Sequence, residues 1–304
     1  MTKKIHHNLV LAVLLTFAPA VIALAQAAAP ESRQVEIFGQ KIHYLEAGNA
    51  SNPAVILLHG LGGDATNWQL TIPALASKYH VYVPDQVGFG KSDKPIVNYR
   101  VAMLIEFLDV FCKKLGIQKA TLVGNSLGGW TAAAFAVEHP EKVDKLVLVC
   151  AAGYTAKRYG GPELTKELLA TLNPSTTADL KRSLGAIFYN QAMLTDAFIE
   201  QTLTGKFKRG DGYTINSFIE SILRGEDYLD GKVKTIKAPT LVLWGREDRL
   251  TPLAIGQAFA EDIAGAQMVV IEKCGHVPQM EKAAEFNAAL LKFLGGAQSA
   301  QVQK

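Results

Sequence analysis

Ala120-Thr121-Leu122-Val123-Gly124-Asn125-Ser126-Leu127-Gly128-Gly129-Trp130-Thr131 decides the fold of this 304-residue chain. Residues 119–123 have strand character, residues 124–128 form a turn, and the alanine-rich run that follows, to residue 137, has helical character. A serine at such a strand-turn-helix junction projects its hydroxyl away from the sheet. Small residues at Gly124 and Gly128 let the strand and the helix approach closely. The glycine-x-serine-x-glycine pattern arises by chance far less than once in a chain of this composition, so Ser126 is the candidate nucleophile. The competing reading is a small-residue packing turn in a non-catalytic domain that keeps the same elbow.

Working outward, residues 54–58 are apolar without alternation, as a strand covered on both faces must be, and they end in His59-Gly60-Leu61-Gly62-Gly63. Further strands are expected at 81–84, 143–150, 239–244 and 267–271, and a hairpin at the sheet edge over 34–44. Helices are expected at 68–78, 101–115 and 281–294. This alternation predicts an α/β fold with a mostly parallel central sheet covered by helices on both faces. The rhythm fails over residues 153–235, where helical pieces at 162–172, 177–190, 196–204 and 215–223 follow one another with no apolar strand between them. The simplest placement is a helical cap inserted after the sixth strand, over the carboxyl edge of the sheet. The expected division is a core first part at 34–152, the cap at 153–235, a core second part at 236–294 and a flexible tail at 295–304.

At the amino terminus Lys3 and Lys4 precede an apolar run over residues 9–25, and Ala25-Gln26-Ala27 offers small residues where a signal peptidase reads. Residues 1–27 are therefore expected to be a signal peptide, which places the protein in the periplasm or medium; a retained membrane anchor is the alternative. The formal net charge of +3 is carried without a basic block or an acidic tail. Neither nucleic acid nor stable membrane insertion after signal cleavage is implied. The three cysteines lie far apart. Cys112 and Cys150 read as core fillers and Cys274 as partly exposed. No close Cys/His cluster suggests a metal site and nothing suggests a cofactor; the sequence sets no oligomeric state.

A serine hydroxyl needs a base to take its proton as it attacks, and that base a carboxylate to orient it. His276, in the loop after strand 267–271, and Asp248, in the loop after strand 239–244, are the candidates. In a parallel sheet both loops emerge at the carboxyl edge, as does the Ser126 elbow. Glu247 competes with Asp248 but points elsewhere on the turn. His59 competes with His276, although a histidine at a tight turn is better explained as holding the Gly60–Gly63 loop by backbone bonds. His43, His80 and His139 read as surface residues. The oxyanion of a tetrahedral intermediate needs two fixed donors. The Leu127 N–H at the start of the helix is one, and the Leu61 N–H, with Gly62 as near alternative, the other.

Together these segments resemble the α/β-hydrolase superfamily, specifically its capped serine hydrolases. The shared wording is His59-Gly60, the loop from Asp85 through Gly88 and Gly90 to Ser92, Gly124 to Gly128, Gly245 to Asp248, and Gly275-His276-Val277-Pro278. The similarity spans about residues 34–294, and Val87 stands where many relatives carry proline. The resemblance implies the triad Ser126, Asp248 and His276, and points to the esterase and carbon–carbon hydrolase branch. Because export favours an extracellular ester over a ring-cleavage intermediate, the expectation is a carboxylic ester hydrolase. It would take small to medium, largely apolar acyl groups through an acyl-enzyme, its partner being a small-molecule ester. The alternatives are a carbon–carbon bond hydrolase of ring-cleavage-type diketone acids and a non-catalytic binding protein that kept the fold.

Overall fold

The computed structural model describes residues 29–161 and 163–296. The signal-peptide expectation for residues 1–27, with the export that follows from it, lies outside the described residues, as does most of the expected tail.

Eight strands form one sheet: β1 (Glu31–Ile37), β2 (Gln40–Ala47), β3 (Ala54–Leu58), β4 (His80–Pro84), β5 (Ala120–Asn125), β6 (Val143–Val149), β7 (Thr240–Gly245) and β8 (Gln267–Ile271). Their spatial order is β1-β2-β4-β3-β5-β6-β7-β8. The β1–β2 hairpin and the β2–β4 pair are antiparallel; every pair from β4–β3 to β7–β8 is parallel. Successive residues of the central strands face opposite sides, so an unbroken apolar run feeds two cores at once. Ile56 and Leu58 of β3 join one core and Val55 and Leu57 the other. The first core is closed by α2 (Val101–Lys114), α3 (Leu127–Glu138) and α9 (Leu253–Asp262). The second is closed by α1 (Ile72–Ala76) and α11 (Ala283–Gly295), the latter preceded by the short α10 (Pro278–Glu281).

The single helix expected at 68–78 is broken into a 3₁₀ turn over Ala65–Trp68 and α1. Pro73 near the start of α1 is the physical reason, since proline lacks the N–H an ongoing helix would need there and instead suits a first turn. Helix α9 was not foreseen. His43 and His80 correct the surface reading: both are buried, His43 against Asp85 and His80 against Glu46. Cys274 is buried as well, so all three cysteines are free interior thiols.

The cap lies between β6 and β7 and consists of α4 (Ala156–Tyr159), α5 (Lys166–Ala170), α6 (Thr177–Ile187), α7 (Asp196–Arg209) and α8 (Gly212–Leu223). It has two modes of attachment. Ile215, Phe218 and Ile219 of α8 extend the core, with Phe218 stacked on Phe89. Helices α6 and α7 instead enclose a small cluster of their own, built on Leu180, Leu184, Phe188, Leu194, Ile199 and Leu203. Of the cap aromatics, Tyr154, Phe188 and Phe218 are buried packing residues, while Phe207 and Tyr213 are exposed. Among the described residues no helix is long and apolar enough to cross a membrane.

Candidate active site

From Ala120 to Ala136, Ser126 is the one residue that is not fully buried. It sits at φ 57°, ψ −117°, a conformation that L-residues rarely adopt and that costs on the order of 1–3 kcal/mol. Surrounding bonds enforce it: Ser126 N–H donates to Val149 O at 3.0 Å, and Ser126 O accepts from Trp130 N–H at 3.0 Å and Ala152 N–H at 3.1 Å. Packing leaves no room for relaxation. A Cβ on Gly124 would fall 2.2 Å from Gly128 O, and one on Gly128 would fall 2.3 Å from Leu58 O.

His276 and Asp248 meet at the carboxyl edge. His276 Nδ1 lies 2.8 Å from Asp248 Oδ2, and both side chains are buried. Asp248 Oδ1 accepts from the N–H groups of Leu250 and Thr251 at 2.8 and 2.9 Å, so its carboxylate is fixed from both oxygens. Glu247 is engaged elsewhere, accepting Cys274 N–H at 2.9 Å. No hydrogen bond among the described residues joins the Ser126 hydroxyl to the imidazole, but the two loops are fastened together through Asn125, whose Nδ2 donates to His276 O at 3.0 Å and to Val149 O at 3.1 Å.

His59 is not available as a base. Gln86 N–H donates to its Nε2 at 3.0 Å, which leaves the ring proton on Nδ1 to bond Gly60 O at 2.8 Å. Burial pushes this imidazole below its usual pKa range. The ring thereby shapes the loop beside Ser126, where a Cβ on Gly60 would lie 3.0 Å from Ser126 Cβ. Leu61 and Gly62 follow at once, half-buried, with Gly62 at φ +71° and facing Ile215 of the cap. Leu127 opens α3, so its N–H has no partner within the helix.

Two neighbours escaped the sequence reading. Thr251 Oγ1 lies 2.7 Å from Asp248 Oδ2, 3.1 Å from His276 Nδ1 and 3.0 Å from Cys150 O. Its place three residues after an aspartate on a turn is the signal that could have found it. The Cys150 thiol adjoins Asp248 and His276 within 4.8 Å. Burial pushes this thiol well above its usual range and the Asp248 charge adds to the effect. The chemistry of this trio is that of a proton-handling pair with a neutral thiol neighbour, because both Asp248 oxygens and His276 Nδ1 are already hydrogen-bonded.

Residues 53–283 match the sequence model described as alpha/beta hydrolase fold, which is well over half of the chain. The chain belongs to the α/β-hydrolase fold family. Within it, this α/β hydrolase is 35% identical over 271 residues to a 2-hydroxy-6-oxononadienedioate/2-hydroxy-6-oxononatrienedioate hydrolase of Burkholderia vietnamiensis (strain G4 / LMG 22486), covering 84% of this chain and 91% of that one. It is similar to the structure of a meta-cleavage product hydrolase from Pseudomonas fluorescens IP01, with 32% identity, a TM-score of 0.79, and coverage of 88% of this chain and 98% of the other. It is also similar to the structure of a membrane phospholipase A, a bacterial virulence factor, with 30% identity, a TM-score of 0.77, and coverage of 89% and 87%. The fold alone therefore does not separate the two chemistries. The sequence relatives do. They overturn the carboxylic ester hydrolase expectation, and with it the small-molecule ester as partner, since the relatives at 32–35% identity carry the names of oxodienoate and oxodienedioate hydrolases. The argument from export, which had tipped the reading toward an ester, is outweighed.

Proposed function

We propose that this α/β hydrolase cleaves a carbon–carbon bond in a vinylogous diketone acid, the class of a 2-hydroxy-6-oxodienoate. The observation that carries the reading is the 35% identity spread over 84% of the chain to a hydrolase of this substrate class. The chemistry suits the side chains at hand. Moving the enol proton of such a substrate to C5 gives a 2,6-dioxo acid in which C5 is a methylene whose carbanion is delocalised, through C3=C4, onto the C2 carbonyl. Attack at the C6 carbonyl can then expel C5 as a stabilised dienolate. Ser126 is the proposed nucleophile at C6, His276 takes its proton and returns one to the departing dienolate at its C2 oxygen, which gives the 2-hydroxydienoate, and Asp248 holds the imidazole in the required tautomer. The C6 oxyanion would be received by the Leu127 and Leu61 N–H groups, with Gly62 beside them. Water then releases C6 as a carboxylic acid, so one water is consumed overall.

The test is direct. With 2-hydroxy-6-oxononadienedioate as probe, turnover removes the absorbance of the conjugated enol and yields 2-hydroxypenta-2,4-dienoate with butanedioate. The expected result is turnover by the unmodified chain and a loss of at least about 10³-fold in Ser126→Ala and His276→Ala. Intact turnover in Ser126→Ala would reject the nucleophile, and no turnover by a chain whose serine still reacts with a fluorophosphonate would reject the substrate class.

A further inference from the structure

The segment that carries His276 is bound to the cap as much as to the core. His276 N–H donates to Ile187 O at the end of α6 at 2.7 Å, and a Cβ on Gly275 would fall 2.2 Å from that same oxygen. Val277 and Met280 pack against the α6–α7 cluster rather than the core. Glu281, in the next turn of chain, gathers three backbone donors. Its Oε2 accepts Gly275 N–H at 3.0 Å and Tyr189 N–H at 3.1 Å, while its Oε1 accepts Asn190 N–H at 2.7 Å. One of these donors immediately precedes His276; the other two belong to the cap just after α6. The Asp248 loop shares the attachment, since Arg249 Nη1 reaches Gly185 O of α6 at 3.4 Å.

We propose that Glu281 is a positioning residue for His276, locking the imidazole loop to the α6 end of the cap so that the base is aligned only while the cap is seated. The inference rests on the reading of His276 as general base. A carboxylate suits this task because an ionised acceptor binds several N–H groups at once, and charge-assisted bonds are roughly twice as strong as neutral ones. Glutamine in its place would offer one acceptor and would turn its amide donors toward the same N–H groups. Asn190 provides a second handle from the cap side. Its φ of −79° is one that proline adopts, so Asn190→Pro removes the N–H donor with the backbone conformation kept, and Asn190→Ala keeps that N–H while removing the side chain.

The experiment compares Glu281→Gln, Asn190→Pro and Asn190→Ala in the full chain, reading kcat and KM on 2-hydroxy-6-oxononadienedioate and the rate at which a fluorophosphonate labels the serine, with melting curves alongside. The expected result is a fall of about tenfold or more in kcat and in labelling rate for Glu281→Gln and Asn190→Pro, with KM within about twofold and Asn190→Ala close to the unmodified chain. Were Glu281 only a structural clamp, KM would rise with cap opening and labelling would not slow. That outcome overturns the proposal, as does equal behaviour of the two Asn190 variants. If the unmodified chain labels but does not turn over the dienedioate, the substrate class fails while the labelling rates still decide the role of Glu281. Should Glu281→Gln melt too low to assay, the Asn190 pair decides alone. Should that pair also fail, amide hydrogen exchange in the unmodified chain does: Gly275 and Asn190 exchanging at rates more than about tenfold apart overturns the link.

Discussion

The side chain of Asn125 is bonded to the backbone of His276, Nδ2 to O at 3.0 Å, across 151 positions of sequence. The residue before the proposed nucleophile thus holds the loop of the proposed base. Asn125→Ala should leave a His276 loop that is free to shift. Because a misplacement of about 1 Å can cost on the order of 10²-fold, kcat/KM is expected to fall by roughly tenfold or more, together with a stability loss of about 1–3 kcal/mol from the buried His276 carbonyl left without a donor. Steady-state kinetics and denaturant melts on the same preparation test both halves.

The Thr251 hydroxyl lies within hydrogen-bond distance of Asp248 Oδ2, Cys150 O and His276 Nδ1, its single proton serving one acceptor at a time. Thr251→Val keeps the shape and removes the oxygen. A lost bond worth about 1.4 kcal/mol in the transition state predicts a roughly tenfold lower kcat. Thr251→Ser, which restores the oxygen, should recover most of it; equal defects in Val and Ser would assign the effect to packing.

The glycines about the elbow separate folding from function. A methyl on Gly128 would meet Leu58 O at 2.3 Å, a backbone atom of a central strand that has nowhere to go. Gly128→Ala is expected to destabilise by about 3 kcal/mol or to abolish soluble expression. Gly60→Ala places its methyl 3.0 Å from Ser126 Cβ, a tight contact that a shift of a few tenths of an ångström in the Gly60 loop relieves at the serine's edge. It should therefore melt near the unmodified chain and label slowly with a fluorophosphonate.

Acid stability is tied to Asp85. Burial pushes its carboxyl up, yet the His43 bond at 2.8 Å and the Lys91 and Ala65 N–H groups at 2.8 and 2.7 Å outweigh that and hold it below the usual carboxylate range. A folded pKa below the unfolded value, about 3.9, means that the contribution is complete at pH well above 4 and is lost as pH falls through the folded pKa. Melting temperature should drop on acidification from about pH 5 to about pH 3. Asp85→Asn should start lower at neutral pH and decline less steeply over that window.

The three thiols are expected to be inert in the folded protein. Burial pushes Cys112 and Cys274 up to about 12 and pushes Cys150 well above its usual range, so no thiolate is present to attack a disulfide reagent at neutral pH. Titration should count none before unfolding and three after it. A fast-reacting thiol would show that Cys274 is reached from solvent, as its loop position had suggested.

What the sequence determined by itself is local. The apolar runs of β3, β5, β6 and β7, the small residues at Gly124 and Gly128, and the loops ending in Asp248 and His276 are all written in spacings of a few residues, because strand, turn and helix each depend on near neighbours. Parallel topology then brings three distant loops to one edge, so the candidate triad was legible without coordinates. The break at Pro73 and the Thr251–Asp248 bond had local signals in the sequence, whereas the burial of His43, His80 and Cys274, and the ties from Asn125 to His276 and from Glu281 to the cap, were decided only by tertiary structure. Each of the latter depends on a partner across many residues, for which no local pattern exists. Neither level selects the scissile bond. The same nucleophile and base serve esters and diketone acids alike, since both present a carbonyl carbon to attack and an oxyanion to stabilise; that distinction came from the relatives this chain resembles along most of its length.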